Sequence, residues 1–182
     1  MSFFPSLSDE AGVVQVLGTN AAAGRALIEL HTAALRNESQ LDAAEKELIA
    51  AYVSGLNACQ YCYGVHSQTA AAFGIDEAVL QALLHDVETA PVPDSLKPML
   101  RYARKLTREP AKIVRADAEA VFAAGWKEAA LHDAVLTVAL FNFMNRLVEG
   151  HGIKGDTTMY ASRGKALKES GYAPLADRIG KG

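Results

Sequence analysis

The sequence predicts an all-α protein, and three observations carry that reading. Apolar residues recur every three or four positions through most of the chain. Capping residues and glycine or proline breaks bracket the segments that show this period. Alternating β-branched runs flanked by turn residues are missing.

The elements follow in order. From Asn20 to Arg36 the chain is Ala- and Leu-rich, with Leu27, Leu30, His31, Ala34 and Leu35 at helical spacing. Asn37-Glu38-Ser39-Gln40 breaks this helix. Asp42 is an N-cap with Glu45 three residues on as its capping-box partner, and a helix runs from there to about Leu56. Asn57 caps between this helix and a second one ending near Gly74. Asp76 starts a short helix through Leu84. Pro91-Val92-Pro93 is a loop, and Asp94 or Ser95 starts a helix to about Leu106, broken at Glu109-Pro110. Asp117 to Ala124 is short and closed by Gly125.

The longest apolar helix is Glu128 to Glu149, ended by Gly150 and Gly152. Its core face is Leu131, Val135, Val138, Leu140, Phe141, Met144 and Leu147. Residues 1–155 form the main helical domain. The more polar tail 156–182 carries one more helix, Ala161 to Glu169, packed on the body or on a neighbouring subunit. Val53-Ser54-Gly55-Leu56-Asn57 is echoed by Val138-Ala139-Leu140-Phe141-Asn142, a faint sign of internal helical duplication.

Composition limits the function. Half of the 182 residues are apolar, enough for a sizeable core. A net charge of −3 and a pI near 5.9 provide no electrostatic case for nucleic acid, and no basic cluster points to a membrane surface. The first ten residues have no basic region and no long apolar run, so no secretory signal is expected, and no later segment is long enough to span a bilayer. Two cysteines at CxxC spacing then point to a reducing, cytoplasmic setting and a working thiol pair.

That pair is Cys59 and Cys62, with His66 four residues on. On a helix the thiols lie roughly 60° apart around the axis with His66 between them. One face holding two thiols and an imidazole suits a redox pair, a metal site or a nucleophile with its base. A thiolate that attacks a peroxide becomes a sulfenic acid, which a second thiol converts to a disulfide. A thioredoxin-like site needs a βαβ context, and a zinc site needs a fourth ligand. His31, His85, His132 and His151 are isolated, and each is expected at the surface or in packing. On the preceding helix Glu47 lies opposite the stripe of Leu48, Ile49, Tyr52, Val53 and Leu56. Its own face carries Ala50, Ala51 and Ser54, small residues that let another helix approach and bury it. Burial raises a carboxyl pKa and suits it to proton exchange.

The run from Glu47 through Cys59 and Cys62 to His66 resembles the core of the alkylhydroperoxidase D family, within the carboxymuconolactone decarboxylase superfamily. The later run from Ala123-Ala124-Gly125-Trp126 through Phe141 to Leu147 resembles the matching part of its peroxidase-related branch. The resemblance implies an all-α homo-oligomer, a trimer or hexamer, working without haem, flavin or metal. It implies a hydroperoxide reductase in antioxidant defence. Cys62 would be the peroxidatic thiol, Cys59 the resolving, more exposed thiol, and His66 with Glu47 the proton relay. An external dithiol such as a lipoyl carrier protein would reset the disulfide.

Asn57 and Tyr61 are candidate site-lining residues. Tyr61 is a departure, because the characterised peroxidase has histidine directly before its second cysteine. A phenol donates a hydrogen bond but does not carry a proton near neutral pH, so a lower peroxidase rate is expected. Two other readings stay open, the first implied by the resemblance to the superfamily. One is a decarboxylase- or isomerase-like enzyme without redox chemistry, motivated by Tyr61. The other is a non-enzymatic redox-sensing or zinc-stabilised helical module, motivated by CxxC with His66.

Overall fold

In the computed structural model, which describes residues 2–180, these residues form ten α-helices and no strand. They are α1 (Val13–Gly18), α2 (Ala21–Leu35), α3 (Ala43–Leu56), α4 (Gln60–Ala72), α5 (Glu77–His85), α6 (Lys97–Arg108), α7 (Arg115–Ala123), α8 (Glu128–His151), α9 (Thr157–Ser170) and α10 (Ala173–Ala176). The all-α expectation holds. The short helices α1 and α10 have too few turns to show a period in the sequence, and they were not expected. Helix α9 starts a turn earlier than its apolar residues suggested, because Asp156 caps it by accepting from the Met159 N–H at 2.8 Å.

Helix α3 is the centre. Asp42 accepts from the Glu45 N–H at 2.8 Å while Glu45 accepts from the Asp42 N–H at 3.0 Å, the capping box expected there. Every residue from Lys46 to Ser54 is buried, so the helix has no solvent face. The small face of Ala50, Ala51 and Ser54 is covered as completely as the Leu48–Leu56 stripe. Helices α4, α5, α6 and α8 pack around it. On α8 the expected core face is buried at Leu131, Val138, Leu140, Phe141 and Met144 and half-buried at Val135 and Leu147.

A tight reversal joins α3 to α4. The Cys59 N–H reaches the Ser54 carbonyl at 3.0 Å and the Ala58 N–H reaches the Gly55 carbonyl at 3.0 Å. This closure needs a left-handed residue between them, usually glycine. Here it is Ala58, with φ 55°, a strain of about 1–2 kcal/mol. The turn makes Cys59 the N-cap of α4 and lays α4 antiparallel to α3.

The C-terminal segment packs on this hairpin. Helix α9 lies along α4, and α10 against α2. The approach of α9 requires glycine. A Cβ on Gly164 would stand 2.6 Å from the Gln68 carbonyl carbon, and one on Gly64 would stand 2.5 Å from the Tyr160 ring. No described helix is long and apolar enough to cross a membrane.

Because the obstacle at Gly164 is main chain, Gly164→Ala cannot be absorbed by a rotamer change. We expect it to lower unfolding stability by about 1–3 kcal/mol, read from the midpoint of urea unfolding. An unchanged midpoint would mean that α9 is not seated on α4 in this way.

Candidate active site

The reversal at Ala58 sets His66 of α4 across from Glu47 of α3. Glu47 is fully buried, and a buried carboxylate needs partners that offset its lost hydration. It has three. His66 Nδ1 lies 2.7 Å from Oε2, the Arg36 guanidinium donates to Oε1 at 2.7 Å, and the Tyr172 hydroxyl donates to Oε1 at 2.7 Å. Burial by itself raises the carboxyl. The hydrogen bond and charge of His66, the charge of Arg36 and the Tyr172 hydroxyl outweigh it and hold Glu47 below its ordinary value. An ionised carboxylate only accepts, so Nδ1 of His66 donates to it, and in the neutral form of the ring Nε2 holds the lone pair.

Sequence reasoning found Glu47 and His66 and missed Arg36 and Tyr172. Arg36 follows the last turn of α2, where a cation is favoured and says nothing about a site. Its guanidinium also donates to the Leu167 carbonyl at 3.1 Å and lies 4.9 Å from the centre of the Tyr172 ring. Tyr172 sits in the tail between Gly171 and Pro174, an aromatic residue in polar surroundings, which was the one available signal.

A cavity of about 240 Å³ opens beside this cluster, with Cys62, His66, Tyr61, His31 and Tyr172 among its lining residues. Phe141 forms another part of the wall, its ring edge-on to His66 at 4.5 Å between centroids. His31, expected at the surface or in packing, is buried against Phe141 and Tyr172. Burial pushes its pKa down to about 4, against the opposing pull of the Leu27 carbonyl, and the His66 charge lowers it further.

Asn57 is a correction, because it does not line the cavity. Its side chain donates to Asn142 Oδ1 at 3.1 Å and Asn145 Oδ1 at 2.9 Å, tying the end of α3 to α8. Asn145 in turn donates to Ser54 Oγ at 3.0 Å. The small amide that caps a helix in sequence here serves a buried polar network.

Both cysteines are free thiols. The resemblance implied that Cys59 is the more exposed. The structure reverses this: Cys59 is fully buried at the N-cap of α4, while Cys62 is 5% exposed and lines the cavity. The thiol of Cys62 and its main-chain N–H hold Cys59 below the ordinary thiol value, against burial and the Glu149 carboxylate. Cys62 is pushed well above that value, first by the Cys59 sulfur and then by burial, with Asn145 opposing. The shared charge therefore favours Cys59, and access belongs to Cys62. Glu149 faces the pair from α8, and its Oε1 is buried with no hydrogen-bond partner among the described residues. Among the described residues no three His, Cys, Asp or Glu side chains are grouped to hold a metal ion, so the donor set for a zinc site is not assembled.

The buried His31 predicts a pH effect. Its folded pKa lies below the unfolded value of 6.5, so the unfolded chain binds the extra proton first. Its contribution is complete above pH 6.5 and is lost as pH falls to about 4, amounting to about 3 kcal/mol. His31→Phe should flatten the stability profile across that window in urea unfolding. The separate loss from Glu47, which begins as pH falls below its ordinary 4.5, should remain. An identical slope in both proteins between pH 6.5 and 4.5 would show that His31 does not titrate as a buried neutral ring.

The chain resembles known proteins in both sequence and structure. Residues 21–109 match the sequence model of the carboxymuconolactone decarboxylase family. This stretch holds Glu47, both cysteines and His66. An uncharacterized peroxidase-related protein from Silicibacter sp. TM1040 superposes with a TM-score of 0.76 at 26% identity, covering 84% of this chain and 79% of that one. An alkylhydroperoxidase AhpD core protein from Ralstonia eutropha JMP134, also described as uncharacterized and peroxidase-related, superposes with a TM-score of 0.73. At 22% identity, over 81% of this chain and 77% of that one, it speaks for the fold alone. No curated protein sequence matches the chain significantly. The family match over residues 21–109 and the 26% identical structure support assignment of the chain to the carboxymuconolactone decarboxylase superfamily, and its all-α architecture is an alkylhydroperoxidase D-like fold.

Proposed function

We infer that the protein is a thiol-dependent hydroperoxide reductase. The observation that carries this is the meeting of Cys62 and His66 on one cavity wall, with His66 held by buried Glu47 at 2.7 Å. His66 lies one helical turn beyond Cys62 and offers Nε2 as a proton acceptor. The Cys62 proton passes to His66, and the imidazolium so formed is stabilised by the Glu47 carboxylate.

The Cys62 thiolate attacks the outer oxygen of the hydroperoxide. An S–O bond forms as the O–O bond breaks. The alkoxide leaves and takes the proton from His66, giving the alcohol and a Cys62 sulfenic acid. The Cys59 sulfur then attacks the Cys62 sulfur, a disulfide forms, and hydroxide leaves as water after protonation. The two electrons come from the thiol pair, and an external dithiol restores it by exchange. The depressed value of Cys59 favours its thiolate and so suits this second attack.

A second reading has one observation in its favour. Cys62 is held well above the ordinary thiol value. The His66–Glu47 pair can abstract a proton from a carbon acid without any thiol, as a decarboxylase- or isomerase-like enzyme would require. The two readings separate cleanly, because non-redox activity survives alkylation of both cysteines.

With reduced protein and tert-butyl hydroperoxide, one equivalent of peroxide should consume two thiols, and dihydrolipoamide should support continued turnover. Cys62→Ser should abolish consumption. Unchanged turnover in that variant would sink the reading. Glu47→Gln removes the charge that stabilises the imidazolium and should slow peroxide reduction by about 10²–10⁴-fold. Stopped-flow measurement of thiol loss reads this step, and a change below threefold would remove Glu47 from the chemistry.

A further inference from the structure

The cavity above Cys62 is walled mainly by hydrocarbon, including Val13, Ile28, Val65, Phe141, Met144 and Val148. At about 240 Å³ it is smaller than the usual ~300–1,000 Å³ of drug-sized sites. Its occupant therefore has a small apolar body. No Asp or Glu lines it among the described residues, yet two arginines do, Arg163 of α9 and Arg178 just beyond α10.

Arg163 is half-buried and forms no ion pair or side-chain hydrogen bond among the described residues. Its guanidinium therefore has N–H donors free for a ligand. Its guanidinium and the Tyr61 hydroxyl close on one point beside Gly12. A Cβ on Gly12 would meet Arg163 Nη2 at 2.9 Å and the Tyr61 oxygen at 3.0 Å. The Tyr61 oxygen accepts from the Val13 N–H at 3.1 Å, and its own proton has no acceptor among the described residues. The polar end of the cavity thus presents donors: a guanidinium fork and a phenolic O–H. A carboxylate has the matching acceptor geometry, and Arg binds it in a bidentate manner.

We propose that the cavity binds a carboxylate-bearing apolar molecule, with the carboxylate held by Arg163 and Tyr61 and the hydrocarbon body against the apolar wall. The substrate of the thiol pair is then the hydroperoxide of a small apolar carboxylic acid, a step that rests on the peroxidase reading. Binding of the acid itself does not. Tyr61 then has a use as a hydrogen-bond donor to substrate, a role that needs no proton carrier.

The test uses octanoate and its uncharged analogue octanamide, titrated into the reduced protein by calorimetry. Octanoate should bind at least tenfold more tightly, and its advantage should shrink as sodium chloride is raised. Arg163→Met should reduce the preference to less than threefold, and Arg163→Lys should retain part of it. Equal binding of the two probes, or full preference in Arg163→Met, overturns the proposal. The salt series needs no variant, so the proposal stays testable if Arg163→Met does not fold.

Peroxide reduction separates the two layers. A medium-chain hydroperoxy acid should show a kcat/KM at least tenfold above that of its methyl ester. If neither is consumed while octanoate is still preferred, the peroxidase reading falls and the ligand class stands. If both are consumed equally and the probes bind equally, the ligand class falls and the peroxidase reading stands.

Discussion

The structure depends on one buried charge. An ionised carboxylate taken out of water loses several kcal/mol of hydration, and Glu47 sits at the middle of a helix with no solvent face. The compensation comes from three separate places: the end of α2 through Arg36, the face of α4 through His66, and the segment after α9 through Tyr172. Arg36 also reaches the Leu167 carbonyl of α9. The requirement to neutralise Glu47 therefore gathers the elements that build the cavity. Stability and site share a cause, and the dyad that faces Cys62 is also a fastening of the fold.

The thiol pair shows a division of roles. A helix N-terminus favours a thiolate, and Cys59 holds the N-cap. The reversal that puts it there holds Ala58 in a left-handed conformation, a strain located next to the thiol pair. Yet Cys59 is sealed from the cavity and Cys62 opens into it. The sulfur that most readily carries charge is not the sulfur that a ligand can reach. In the proposed reaction this division suits Cys62 to the first attack and Cys59 to the second.

Much of this was legible in the residue order. Spacing on one helix put Cys62 and His66 together, with Cys59 left at the N-cap instead of on their face, and the small-residue face around Glu47 indicated that another helix would bury it. The capping box of Asp42 and Glu45 is local chemistry and appears as expected. Other residues have places that their sequence neighbourhood does not mark. Asn57 is next to the motif in sequence, but its amide turns away to Asn142 and Asn145 on α8. His31 has no neighbour in sequence that marks it, and only the packing of α2, α8 and the tail gives it a place in the cavity wall. Arg36 and Tyr172 reach Glu47 across 11 and 125 residues, and no periodicity links them.

The sequence alone therefore determined what is decided within one or two turns of helix: the all-α class, the caps, and the placing of Cys62 and His66 one turn apart on one helix. These follow from the helical repeat and from hydrogen bonds between near neighbours, which any chain with these residues would form. Only the tertiary structure decided which thiol meets the cavity, what neutralises Glu47, and that Tyr61 and Arg163 stand together beside Gly12. Those depend on how close α9 comes to α4, and on where the residues after Gly171 lie. Both are set by packing between segments far apart in the chain, where local propensity carries no information.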